Sequence, residues 1–125
     1  MNASAKQLPD ASHPIEISVH RRRVVVTSGG TTIADTRRAL CMHEAQYAPV
    51  LYVPLADVRV KHLLRSAHST YCPYKGDCAY YSLRAGGRVS ENAVWTYALP
   101  YPAVAQIAGH VAFYPDRVDA ITELD

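Results

Sequence analysis

The stretch "AYYSLRAGGRVSENAVWTY" at residues 79–97 decides the fold class. It holds two aromatic-rich runs, Ala79-Tyr80-Tyr81-Ser82-Leu83 and Ala93-Val94-Trp95-Thr96-Tyr97, on either side of Gly86-Gly87. Aromatic and β-branched residues favour strands, and paired glycines supply the positive φ that a hairpin loop needs. The stretch reads as two antiparallel strands of one sheet. Successive side chains on a strand face opposite ways, so Tyr81 faces away from Tyr80, while Trp95 and Tyr97 share a face.

The same pattern continues outward. Ile15, Ile17 and Val19 alternate with Glu16 and Ser18, and Val24-Val25-Val26 is a β-branched run closed by Ser28-Gly29-Gly30, after which Thr31-Thr32-Ile33-Ala34 can pair back. Leu51-Tyr52-Val53 is a short strand stopped by Pro54, and residues 111–114 and 118–121 read as strands around Pro115-Asp116-Arg117. Residues 103–107, with Pro102 before them and Gly109 after, fit one short helix. Asp57 is expected to open a helical turn through Val58 to Leu63-Leu64, and residues 36–44 contain helix formers but read equally well as extended. The expected architecture is mainly β, two antiparallel sheets with one or two short helices. Residues 1–12, rich in Ala, Ser, Asp and Pro, are expected to be a flexible lead, and residues 13–125 one domain.

Composition narrows the function classes. Thirteen Lys and Arg against eleven Asp and Glu leave a net charge of +2, too close to balance for the electrostatic footprint of a duplex-binding protein, so nucleic acid is not an expected partner. The basic run His20-Arg21-Arg22-Arg23 leads straight into Val24, as a solvated turn before a strand would. The polar start "MNASAKQLPDASHP" lacks the apolar stretch of a signal peptide, and no window is apolar over about 18 residues, so neither export nor a membrane is expected and a cytoplasmic location is. Three cysteines, an odd number, read as reduced thiols rather than a disulfide framework.

Chemistry concentrates in "TYCPYKGDCAYYS" at residues 70–82. Taken with "HPIEI" at 13–17, "TIADTRRAL" at 32–40, "VLYVPLADV" at 50–58 and "ENAVWTYALPYPAVAQIAGHVAFYPDRVD" at 91–119, it resembles the bacterial and fungal family catalogued as domain of unknown function 427. The resemblance implies a β-tent-like fold, two antiparallel sheets leaning on each other around a pocket. It also brings a nucleotidyltransferase label, which these residues do not support. Such enzymes place two close carboxylates after a glycine turn to hold two metal ions. Here Gly29-Gly30 is followed by Asp35 among Ala34, Thr36, Arg37 and Arg38, while Asp116 and Asp119 flank a turn and read as solvated. A phosphate loop is not formed either, since Lys75 precedes its glycine.

Several relatives of the β-tent group bind zinc, but Cys72 and Cys78 have five residues between them and Cys41 with His43 makes a poor second pair, so no metal and no cofactor is expected. Cys41 and Cys78 read as small apolar core residues, Cys78 standing where the family motif usually has alanine. Cys72, three residues from Lys75, is a weak catalytic candidate together with that lysine, because nearby positive charge favours a thiolate. His68 and His110 are candidate bases by residue type alone.

Nine tyrosines against one phenylalanine point to a tyrosine-lined cleft, because each buried hydroxyl needs a partner. The expected function is a small-molecule binding module, the ligand contacted by Tyr52, Tyr74, Lys75, Tyr81, Trp95 and Tyr97, with Lys75 as polar anchor. Glu44 and Asp57 match motif positions and are second-tier pocket candidates, whereas Leu55 replaces an arginine often found after the motif proline. Lys75 is expected to serve binding rather than stability. An enzyme on a small polar substrate, using Cys72 and Lys75, and a protein interaction domain are the alternatives, and a homo-oligomer is compatible with the sequence.

Overall fold

The computed structural model describes residues 5–125. Ten strands dominate it: β1 (Ile15–Val19), β2 (Arg23–Ser28), β3 (Thr31–Thr36), β4 (Leu40–Glu44), β5 (Val50–Pro54), β6 (Leu63–Cys72), β7 (Gly76–Ala85), β8 (Arg88–Thr96), β9 (His110–Phe113) and β10 (Ala120–Leu124). They form a seven-stranded sheet of order β1-β4-β5-β9-β8-β7-β6 and a three-stranded sheet of order β10-β2-β3. Every pairing is antiparallel. This is the mainly β, two-sheet, tent-like arrangement expected from the alternating runs.

The hairpin at 79–97 is β7 and β8, with Tyr80 opposite Trp95 and Tyr81 opposite Val94. Its ladder shifts register between Tyr81 and Leu83, where Asn92 takes a left-handed φ of 49° and donates its N–H to Ser82 Oγ at 3.0 Å. A bulge of this kind bends long strands, and a second shift in the β6–β7 ladder between Arg65 and Ser69 adds to it.

Alternation gives the large sheet two apolar faces. One face carries Val53, Leu83, Val94, Val111 and Phe113 and packs on Val24, Val26 and Ile33 of the small sheet. The other carries Met42, Tyr52, Cys78, Tyr80, Tyr97 and Ala112 and is covered by Val104 and Ile107. Each fully buried aliphatic side chain contributes roughly 1.5–3 kcal/mol, so both layers hold the sheet flat against its covers. The two sheets also touch through their hairpin tips. Gly29 and Gly86 lie backbone to backbone, and a Cβ on either would overlap a carbonyl of the other hairpin.

Some local expectations change. Of the segment 36–44, which reads equally as helix or extended chain, residues 40–44 are strand, because β4 is paired on both sides, with β1 and β5, and buries Cys41 and Met42. The helical turn expected from Asp57 is two 3-10 turns, Leu55–Asp57 and Val60–His62, and Leu63 already begins β6. The helix expected at 103–107 is the 3-10 segment Pro102–Ile107, interrupted at Val104 (φ −125°, ψ 27°), where burying the Val104 and Ile107 side chains wins over helical regularity. Of the expected 1–12 lead, residues 1–4 lie outside the described residues, while Gln7 donates its backbone N–H to Pro73 O at 2.8 Å and Asp10 bridges to His13.

Candidate functional site

A period of two builds the site. Met42 and Glu44 point from one face of β4, Val50 and Tyr52 from β5, and Trp95, followed by Tyr97, from β8. All lie on the face covered by the Pro102–Ile107 segment, where the strands leave a cavity of about 210 Å³. Lys75 enters from the β6–β7 turn, which Gly76 makes tight with a φ of 106°. Tyr114 closes one side, and Tyr47, largely exposed, stands at the mouth.

Lys75 is buried. Its Nζ donates to Glu44 Oε1, while His13 Nε2 donates to Glu44 Oε2 at 2.8 Å. The side chains of Lys75 and Glu44 are only 11% and 12% exposed, and the Lys75 ammonium also sits 5.6 Å from the centre of the Tyr97 ring. Burial by itself would raise the Glu44 pKa, but the hydrogen bonds from Lys75 and His13 outweigh it and hold the carboxyl below its usual range. The lysine is therefore one half of a buried ion pair, neutral as a unit, and removing it disturbs stability as well as any ligand contact.

The aromatic walls are fixed by one another. Trp95 Nε1 donates to Tyr52 Oη at 3.3 Å, the two rings meet edge to face with centroids 6.4 Å apart, and the other side of Trp95 leans on Tyr114 at 4.5 Å. Tyr80 Oη shares a 2.9 Å hydrogen bond with Thr70 Oγ1. Burial is the leading cause that pushes the phenol pKa values of Tyr52, Tyr80 and Tyr97 upward, so these hydroxyls stay protonated and can donate or accept.

Of the residues expected to contact a ligand, the fold brings Tyr52, Lys75, Trp95 and Tyr97 to this cavity, with Glu44 from the second tier. Tyr74 stacks on His13 at 3.9 Å, one step behind Glu44. Tyr81 is not in the cavity: it packs on the inter-sheet core, with the Arg65 guanidinium 6.0 Å from its ring centre. Asp57 is elsewhere too, accepting from Thr36 Oγ1 at 2.6 Å and from Arg38 at 3.0 Å. Cys72 packs against the covered face, and its turn is closed by the Lys75 N–H donating to Cys72 O at 3.2 Å, while the lysine ammonium points to Glu44.

Burial is the leading cause that raises the Cys41 and Cys78 thiol pKa values, in keeping with packing roles. His68 lies against the Tyr80 ring at 4.5 Å, and His110 Nδ1 is 2.9 Å from Ala108 O. Sequence reasoning missed Met42, Tyr47, Ala48, Val50 and Tyr114 as lining residues, and chose Tyr81 where its neighbour Tyr80 lines the cavity. The alternation of Met42 with Glu44 was the available signal, hidden by the helix-forming composition of that segment.

The residues raised by the nucleotidyltransferase label are also placed. Asp35 takes two hydrogen bonds from Arg23, at 2.9 and 2.7 Å, and Asp119 Oδ2 accepts the Gly30 N–H at 2.8 Å. Among the described residues no three His, Cys, Asp or Glu side chains converge as a metal site would require. None of the helices described is long and apolar enough to cross a membrane.

A comparison with curated proteins finds no match. A family model named for nucleotidyl transfer and described as Domain of unknown function (DUF427) matches residues 16–124. The chain belongs to that family.

Proposed function

We propose that this member of the DUF427 family is a small-molecule binding module whose ligand sits in the tyrosine-lined cavity beside Lys75 and Glu44. The observation that carries the reading is a buried ion pair forming the wall of a cavity. An ion pair taken out of water rarely adds net stability over apolar packing, so its retention beside open space favours a binding role. The size and charge limit the ligand. A cavity of about 150 Å³ is enough for benzene, and this one measures about 210 Å³. Because Glu44 cancels the charge of Lys75, a ring-sized neutral or zwitterionic molecule that both donates and accepts hydrogen bonds suits it better than a strong anion.

The test is a screen of ring-sized polar fragments, phenol and hydroxypyridines among them. Binding is read by thermal shift and by the fluorescence of Trp95, the one tryptophan of the chain. A ligand of the native state raises the melting temperature by mass action. Hits should lose at least about tenfold in affinity in the Glu44→Gln, Lys75→Met double variant, equivalent to one charge-assisted hydrogen bond. If no fragment binds at millimolar concentration, or if the double variant binds every hit as tightly as the wild type, the reading is wrong.

A further inference from the structure

A second cavity, about 300 Å³, lies between the two sheets, lined by Val24, Val26 and Ile121 from the small sheet and by Leu51, Val53 and Phe113 from the large one. Its walls are apolar where those of the tyrosine cavity are polar. The two cavities open on opposite faces of the large sheet, since Val53 belongs to the inter-sheet core and its neighbour Tyr52 to the other face.

They nonetheless share walls. Val50 and Trp95 line both. Two chain segments also divide between them: Ala48 lines the tyrosine cavity and Pro49 the apolar one, and Tyr114 and Pro115 split in the same way. The sheet is open at this point. The β5–β9 ladder consists of Val53↔Val111 and Pro54↔His110, so β5 leaves β9 at Tyr52, and the Trp95 indole, bonded to Tyr52 Oη, stands at the parting.

Resting on the binding reading above, we propose that the ligand is amphipathic: a ring-sized polar head held among Tyr52, Tyr97, Lys75 and Glu44, and an unbranched apolar limb that passes Trp95 into the cavity between the sheets. A polar head alone leaves the larger cavity unfilled, and its mostly apolar walls, valines with Leu51, Ile121 and Phe113, suit a hydrocarbon better than a polar group. A short alkyl chain gains by leaving water there, and the shared rim lets both parts bind at once.

The experiment uses phenol, 4-ethylphenol, 4-butylphenol and 4-hexylphenol with the full chain, affinities being measured by calorimetry and by Trp95 fluorescence. Each buried methylene should tighten binding about three- to fourfold, until the limb outgrows the cavity. Leu51→Phe and Ile121→Phe, at two partly buried wall positions of the apolar cavity, should flatten this dependence while leaving phenol itself bound as in the wild type. Two variants guard against one of them failing to fold.

Phenol binding with no gain along the series, or a gain untouched by either variant that folds, overturns the amphipathic ligand and leaves the binding reading standing. Absence of binding by every member overturns both. A gain lost in the Phe variants, with phenol unaffected, supports the proposal.

Discussion

Replacing Lys75 by Met keeps the bulk of the side chain and deletes its charge, which isolates the buried ion pair. Glu44 would then be left 12% exposed with His13, at 2.8 Å, as its remaining partner. Breaking a buried pair by removing one member costs about 3–5 kcal/mol. The surviving hydrogen bond from His13 offsets part of this, leaving an expected loss of about 2–3 kcal/mol. For a domain of this size that is a fall of roughly 6–15 °C in melting temperature.

The pH dependence has a definite sign. Glu44 is held below its ordinary value of 4.5, so its pairing stabilises the wild type above that pH and the contribution is lost as pH falls through the lower folded value. The gap between wild type and Lys75→Met should therefore be full near pH 7 and shrink in acid, where a protonated Glu44 needs no cation. Adding Glu44→Gln to Lys75→Met should recover about half or more of the loss, because the orphaned charge is gone. Urea unfolding followed by Trp95 fluorescence between pH 3.5 and 7.5, together with thermal melts at pH 7, measures the wild type and both variants. A melting temperature for Lys75→Met within a degree of wild type at pH 7, or a double variant no more stable than the single one, would refute the reasoning.

Two further outcomes follow from other parts of the molecule. Gly86→Ala places a Cβ against the Gly29 carbonyl at a residue whose φ is 59°, so it should destabilise by more than about 2 kcal/mol, whereas Gly87→Ala, with φ 73° and open space, should cost only about 1 kcal/mol; equal losses in urea unfolding would count against the packed hairpin tips. Iodoacetamide near neutral pH should label the half-buried Cys72 well ahead of Cys41 and Cys78, whose thiols are buried and raised in pKa; equal rates by mass spectrometry would contradict this.

The sequence by itself determined most of the sheet. Alternation at Ile15–Val19, the β-branched run at Val24, the Gly-Gly turns and the hairpin at 79–97 are local patterns, and local sterics together with one-sided burial suffice to read them. It also fixed that Tyr80 and Tyr81 oppose each other and that Trp95 and Tyr97 agree. Which face is core and which borders a cavity was decided by tertiary structure, because that depends on what covers each face: the small sheet packs over Tyr81, and the Pro102–Ile107 segment over Tyr80.

The polar strand β6, with Ser66, His68, Ser69 and Thr70, has little apolar alternation because it is an edge strand with much of its surface in water, and pairing with β7 rather than burial makes it a strand. Helix propensity at Leu40 and Met42 gave way to two neighbouring ladders for the same reason. Lys75 shows the limit most clearly. Its neighbours in sequence, Tyr74 and Gly76, suggested a charge facing a ligand, but its partner Glu44 is 31 residues away, on a strand brought beside the turn only when the sheet closes. A buried charge is defined by the counter-charge it meets, and that meeting is a property of the fold.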